Sequence, residues 1–281
     1  MKRAAVLGLS LALASVAAPA RAEEAAADVR PALLNEAPPS SADAARPFEP
    51  PIVVLTVAPE LGFRRVTYRD RVSRELAAFS GGAMGLLSAG LELYPAGGRN
   101  LPLISNVGFV GALSRSLPAH GSGAGVSFDN LWRTWEVGGR YRGVFGGEEW
   151  YALSLRYVSQ RFDFTGSTDD QLHLPSGTKQ YWRPGLELRL PLGPAAIAVS
   201  GAWLALVMKD AVSRPFPRST AGGFETGLAL SYALGPLAEL KLSGRYSRFF
   251  YKLRPLPGDP LVAGGALDET ALLDLSFNLR G

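Results

Sequence analysis

Glu239-Leu240-Lys241-Leu242-Ser243-Gly244-Arg245-Tyr246 and Leu273-Asp274-Leu275-Ser276-Phe277-Asn278-Leu279-Arg280 decide the fold. In the first stretch Leu240, Leu242, Gly244 and Tyr246 alternate with Glu239, Lys241, Ser243 and Arg245; in the second, Leu273, Leu275, Phe277 and Leu279 alternate with Asp274, Ser276, Asn278 and Arg280. Successive side chains of a strand point to opposite faces, so each stretch carries one apolar and one charged face. Pro184 to Leu190 repeats the pattern, with Leu186, Leu188 and Leu190 set against Gly185, Glu187 and Arg189. So does the segment in which Tyr151, Leu153, Leu155 and Tyr157 oppose Ser154 and Arg156. Segments of about ten such residues, repeated, fit strands that cross a bilayer with one face to lipid.

Working outward, the alternation predicts strands at 53–68, 83–94, 103–113, 131–143, 150–161, 180–190, 195–207, 222–233, 237–251 and 268–280. The connections sort by length. Those after the second, fourth, sixth and eighth strands are short and turn-like: Pro95 to Pro102, Val144 to Glu149, Pro191-Leu192-Gly193-Pro194 and Leu234-Gly235-Pro236. The others are long and polar. A soluble sandwich gives no reason for that rhythm, whereas an outer-membrane barrel keeps tight periplasmic turns and lets its extracellular loops grow. The expected fold is all-β: a ten-stranded, antiparallel, up-and-down transmembrane β-barrel over residues 52–281. An even strand number puts both of its ends on the periplasmic side.

The first 51 residues read differently. Met1-Lys2-Arg3 is a basic start, Ala4 to Ala18 an apolar run, and Ala20-Arg21-Ala22 places small residues where a signal peptidase reads; residues 1–22 are therefore expected to be a cleavable secretory signal. Residues 23–51 are rich in Ala and Pro, with Pro31, Pro38, Pro39, Pro47, Pro50 and Pro51 breaking regular structure, which predicts a disordered periplasmic leader. The chain carries 29 Lys and Arg against 25 Asp and Glu. Lys2, Arg3 and Arg21 fall within the signal, so the mature balance is 26 against 25 and gives no footing for nucleic-acid binding. The absence of cysteine excludes disulfides, lipoprotein attachment and thiolate metal sites.

Ala195 to Met208 competes as a membrane helix, but its 14 residues fall short of the roughly 20 a spanning helix needs. As a strand it sends Ile197, Val199, Gly201 and Trp203 to lipid and Ala196, Ala198, Ser200 and Ala202 to a crowded interior. Tyr94, Tyr151, Tyr181, Trp182, Tyr232, Phe249, Phe250 and Tyr251 lie near strand ends, where a girdle at the water–lipid boundary is expected.

A Lys or Arg aimed at lipid near the midplane costs roughly 2–4 kcal/mol. Glu92, Glu136, Arg140, Arg156, Glu187, Arg189, Glu225, Glu239, Lys241, Arg245, Asp274 and Arg280 are therefore assigned to the lumen. Acids and bases balance there, and a ten-stranded lumen is narrow. Salt-bridged filling and a selective eyelet are both open readings.

Chemistry-bearing groups are sparse. His120 and His173 both fall in extracellular loops, and Asp169-Asp170 beside His173 is the one local cluster. It loosely resembles the rim of the omptin proteases, which are ten-stranded barrels, although the second acidic pair of that family has no match here. No serine is paired with a strand histidine for a lipase-type nucleophile. Gly121-Ser122-Gly123-Ala124-Gly125 bridges no strand and helix, so it reads as a flexible loop and not a phosphate cradle. No catalytic residue, cofactor or metal ligand is assigned.

Leu91-Glu92-Leu93-Tyr94-Pro95, Arg245-Tyr246-Ser247-Arg248-Phe249-Phe250-Tyr251 and Pro257-Gly258-Asp259-Pro260 through Ala263-Gly264-Gly265-Ala266-Leu267-Asp268 resemble a group of uncharacterised outer-membrane β-barrel proteins of Gram-negative bacteria. The resemblance spans roughly residues 60–281 and implies a fold and a location, not an activity. Such barrels usually end in an aromatic used in assembly, whereas this chain ends Asn278-Leu279-Arg280-Gly281. Pro257 to Pro260 reads as a rigid turn in the last loop, with Val262 to Leu267 a candidate lid over the barrel mouth. Expected partners are outer-membrane lipid, the barrel assembly machinery, and a small solute or extracellular ligand, with no nucleic acid. The expected role is structural or surface-binding, with a narrow pore for small solutes as the alternative and a rim-active hydrolase the less favoured one.

Overall fold

The computed structural model describes residues 51–281 apart from 74, 75, 77, 98–100, 102, 118, 124, 125, 146, 147, 166–175, 209 and 211. The expected signal and leader lie outside the described residues, except for Pro51. Twelve strands run in chain order: β1 (Val53–Arg69), β2 (Phe79–Ser80), β3 (Met84–Leu93), β4 (Val107–Ser116), β5 (Ala119–Gly123), β6 (Val126–Phe145), β7 (Glu148–Thr165), β8 (Gly177–Leu192), β9 (Ala195–Leu206), β10 (Thr220–Ala233), β11 (Ala238–Lys252) and β12 (Gly265–Arg280). β2 and β5 are short additions to β1 and β6; the other ten are the staves, each paired antiparallel to its neighbour. β12 closes on β1, from Val54 opposite Arg280 to Arg69 opposite Gly265. Closure pairs each of the ten staves on both sides, which is the condition for strands to exist inside a bilayer.

Two prolines mark the ladder. The β1–β12 pairing skips Ala58 and Pro59, and the β8–β9 pairing skips Arg183 and Pro184. Proline has no N–H to donate, so a gap in the ladder falls at each.

Every stave keeps the predicted two-face pattern. On β8, Leu186, Leu188, Leu190 and Leu192 are 44–55% exposed while the intervening residues point inward. Ala195–Leu206 is a strand in the predicted orientation, Trp203 outward at 59% and Ala196 and Ala198 buried. No helix among the described residues is long and apolar enough to cross a membrane. A continuous exterior of exposed leucine, valine and phenylalanine would be an aggregation surface in water and is what hydrocarbon requires.

Four expectations need correction. The third stave begins at Val107, not at 103, because Ile104–Asn106 forms a 3₁₀ turn closed by hydrogen bonds from the Ser105 N–H to the Leu101 carbonyl and from the Asn106 N–H to the Leu103 carbonyl. The connection 94–106 is accordingly as long as those at the opposite end, with Leu103 and Ile104 exposed. Of the stretch Gly121 to Gly125, read as a flexible loop, Gly121 to Gly123 belong to strand β5, whose backbone completes the ladder of the β6 extension from Asn130 to Val126, and 124 and 125 lie outside the described residues. Finally, half of the expected girdle turns inward. Tyr94, Tyr181, Phe249 and Tyr251 are buried, whereas Tyr151, Trp182, Tyr232 and Phe250 face outward.

Aromatics do form two exterior clusters. Trp135, Tyr157 and Trp182 pack in tilted and edge-to-face contacts toward the long-loop end, and Tyr141, Phe145 and Tyr151 lie toward the short-turn end.

Candidate functional site: the barrel interior

Inward-facing residues build the lumen in tiers. At the short-turn end Glu239 accepts from Arg189 at 2.9 Å, from Arg280, and from the Asn278 amide at 3.4 Å. Beside it Arg142 stacks on the Tyr94 ring at 3.6 Å and donates to the Pro51 carbonyl. One tier up, Arg140 is ringed by Glu149 at 2.5 Å, Glu92 at 2.7 Å and Glu187 at 3.0 Å, with the Tyr94 hydroxyl donating to Glu92. At mid-height Glu136 lies between Arg156 at 2.5 Å and Arg183 at 2.7 Å, and Arg183 reaches on to Glu225 at 3.2 Å. Arg245 stands 4.0 Å from Glu60, and Ser243 donates to Asp274 at 2.5 Å. Lys241 has no ion-pair partner within 4.0 Å among the described residues and faces the same space.

The sequence puts these groups together simply. Strand register brings residues of equal parity on neighbouring staves side by side, as with Glu136 opposite Val158 and one step from Arg156. Buried charge of one sign is expensive, whereas alternating signs with two or three hydrogen bonds each is tolerated.

All twelve assigned lumen charges line one cavity of about 670 Å³. The same wall holds Glu60, Arg142, Glu149 and Arg183, which the reading of the sequence did not assign. Gly193, Pro194, Gly235 and Pro236 line it too, so the cavity runs out to the short turns.

It does not run out at the other end. Above mid-height Asp268 is fully buried between Arg64, 2.8 Å away, and Lys179 at 2.6 Å. The two cations lie over the Phe162 and Phe249 rings at 4.0 and 4.1 Å. Around this tier, and beyond it into the long-loop segments, lies an apolar cap. Val66, Tyr181, Leu204, Phe249 and Tyr251 enter it from staves; Leu76, Phe79, Val212, Phe216, Leu253, Leu261 and Ala263 enter it from the segments 70–83, 207–219 and 253–264. Ala263 comes from the predicted lid and Leu261 from just before it, while Gly265 to Leu267 belong to β12.

The three cap segments are tied to one another. The Val262 N–H donates to the Ser73 hydroxyl at 2.8 Å and the Val72 N–H to the Val262 carbonyl at 3.0 Å. The Tyr251 hydroxyl donates to Asp210, whose carboxylate also accepts from the Ser213 N–H. Arg218 pairs with Asp259 across two segments. That guanidinium, with the Leu256 N–H, holds the Asp259 carboxyl below its ordinary range. The expected turn is present: the Asp259 N–H donates to the Leu256 carbonyl at 3.1 Å, and Gly258 has φ +94°, a conformation that glycine adopts without a Cβ penalty.

His173, Asp169 and Asp170 lie outside the described residues, and for His120 the backbone alone is described, as part of β5. Among the described residues no group of three His, Asp or Glu is arranged to hold a metal ion.

No protein-family model matches this chain, and no curated protein matches it in sequence. Solved structures similar in shape include the outer-membrane protease OmpT from Escherichia coli, 10% identical, with a TM-score of 0.46 over 82% of this chain and 97% of that one. An outer-membrane channel from Pseudomonas putida F1 is 10% identical with a TM-score of 0.37, over 80% and 96% of the two chains. Neisserial surface protein A is 11% identical with a TM-score of 0.29, over 81% and 97%. A protease, a channel and a surface protein stand side by side here, and none lends this chain its role.

Proposed function

We propose that this protein is an outer-membrane β-barrel whose lumen is closed at the extracellular end, acting as a structural or surface-binding element and not as a free diffusion pore. The observation that carries the reading is the apolar cap, with Val66 opposite Asp268 in the β1–β12 register and Val66, Leu204 and Ala263 all at 0% exposure, beside the buried Arg64–Asp268–Lys179 tier. Neither a hydrated ion nor a polar solute passes a dry apolar cluster at low cost, because it would shed its water with nothing to replace it. Barrel closure and the apolar exterior support the outer-membrane placement.

A second reading, a pore gated from the extracellular side, is favoured by the cavity that reaches from the short turns to mid-height. One experiment separates the two. Wild-type protein and a variant lacking residues 258–264 are refolded into planar bilayers after heat-modifiable gel migration has verified folding. A silent wild type and a silent deletion variant support the structural reading. Discrete current steps in the deletion variant alone identify the segment as a gate, and steps in the wild type overturn the closed lumen.

A further inference from the structure

We propose that Arg115, Arg133 and Arg161 form a binding site for the phosphorylated headgroup of a lipid in the leaflet nearest the long loops, an inference that goes beyond the role proposed above. The three stand on adjacent staves β4, β6 and β7, and the register sets Arg115 opposite Arg133 and Arg133 opposite Arg161. All three are exposed and share the parity of the lipid-facing side. Side chains directly opposite each other on neighbouring strands have Cβ atoms roughly 5 Å apart, where like charges repel. Three guanidiniums in a row are an unfavourable arrangement in isolation, and an anion lying across them reverses that sign.

Among the described residues, Arg115 and Arg133 have no ion-pair partner. Arg161 is held through Nε by the Asp163 carboxylate, at 2.7 and 2.9 Å to its two oxygens. One carboxylate against three guanidiniums leaves the patch cationic. Other exterior bases are not set in such a row: Arg248 lies 3.5 Å from Glu269, Arg218 is paired with Asp259, and on β1 Arg65 stands opposite Glu269 and Arg69 opposite Gly265.

Position within the bilayer identifies the ligand. Trp135 follows Arg133 by one step on the same face, and Trp135, Tyr157 and Trp182 form a continuous aromatic row with ring centroids 5.5 and 5.3 Å apart. Tryptophan and tyrosine on a barrel exterior mark the boundary between headgroups and acyl chains. Below them Val137, Leu153 and Leu155 are 50–52% exposed. The surface thus offers cations at headgroup depth, rings at the boundary and aliphatic side chains beneath, matching a lipid with phosphate above its chains. Arginine is suited to this because its planar fork can pair two phosphate oxygens at once.

The test uses the protein and the triple variant Arg115→Gln, Arg133→Gln, Arg161→Gln in phosphatidylcholine nanodiscs. The discs are doped with a disaccharide lipid bearing two phosphates or with its dephosphorylated form, and lipid retention is read by native mass spectrometry. The wild type should retain the phosphorylated lipid preferentially. The triple variant should bind it more weakly by on the order of a hundredfold, the loss expected for three basic side chains at an anionic lipid surface. Equal retention by both proteins, or equal retention of both lipids, overturns the proposal. Competition by millimolar inorganic phosphate assigns the site to a free anion and overturns the lipid assignment. Should the triple variant not fold, Arg133→Gln alone decides by the same readout, with a loss expected and no change contradicting.

Discussion

Glu136 sits between two guanidiniums and is 8% exposed, so its charge is essential to theirs. Removing one partner of a buried pair leaves an uncompensated charge, at a cost of about 3–5 kcal/mol. Glu136→Gln should destabilise the barrel by that order, read as a lower urea midpoint for the refolded protein. A loss of less than about 1 kcal/mol would mean that water, and not Glu136, satisfies Arg156 and Arg183. Gly62 makes a steric prediction. A Cβ there would lie 2.5 Å from Trp132 Cζ3 and 2.9 Å from Leu86 Cδ1, in a tier where both neighbours are buried. Gly62→Ala should therefore cost about 1–3 kcal/mol by overpacking, measured the same way.

Residue parity was the legible quantity. Ser200 and Leu188 could be assigned to lumen and lipid because their segments alternate cleanly, and the structure orients both so. Lys179 and Arg183 escaped because Tyr181-Trp182 between them reads as a girdle. Counting back by twos from Glu187 would have placed Arg183, Tyr181 and Lys179 inside. The same count would have split Phe249-Phe250-Tyr251, since three consecutive strand residues cannot share one face.

At the scale of elements, staves were readable to within a few residues and the cap was not. A stave announces itself by period two. The segments 70–83, 207–219 and 253–264 have no period, and their burial depends on the width of the barrel they fold into. Only the small apolar run after Pro260 hinted at an inward-folding segment. The Arg218–Asp259 pair that ties two of these segments predicts a pH response. Asp259 titrates below its ordinary value of 3.8 when folded, so the contact contributes fully above that value and is lost only as pH falls through the lower one. Protease cleavage within 253–264 should stay constant from neutral pH to about 4 and rise in stronger acid. Asp259→Asn should show the raised cleavage already at pH 7; unchanged cleavage would mean that the apolar contacts of Leu261 and Ala263 suffice alone.

As a whole molecule, the proposed barrel is open toward its short turns and shut toward its long loops. The chain has no cysteine, so single cysteines report position without background. Ser200 lines the cavity and Val199, its neighbour, is 55% exposed on the lipid face. The decisive measurement is labelling of Ser200→Cys by a membrane-impermeant thiol reagent, added to one side and then the other of vesicles holding the barrel in known orientation, with Val199→Cys as the lipid-facing control. The closed lumen predicts that Ser200→Cys reacts from the short-turn side, is protected from the long-loop side, and that Val199→Cys reacts from neither. Equal labelling of Ser200→Cys from both sides would contradict it.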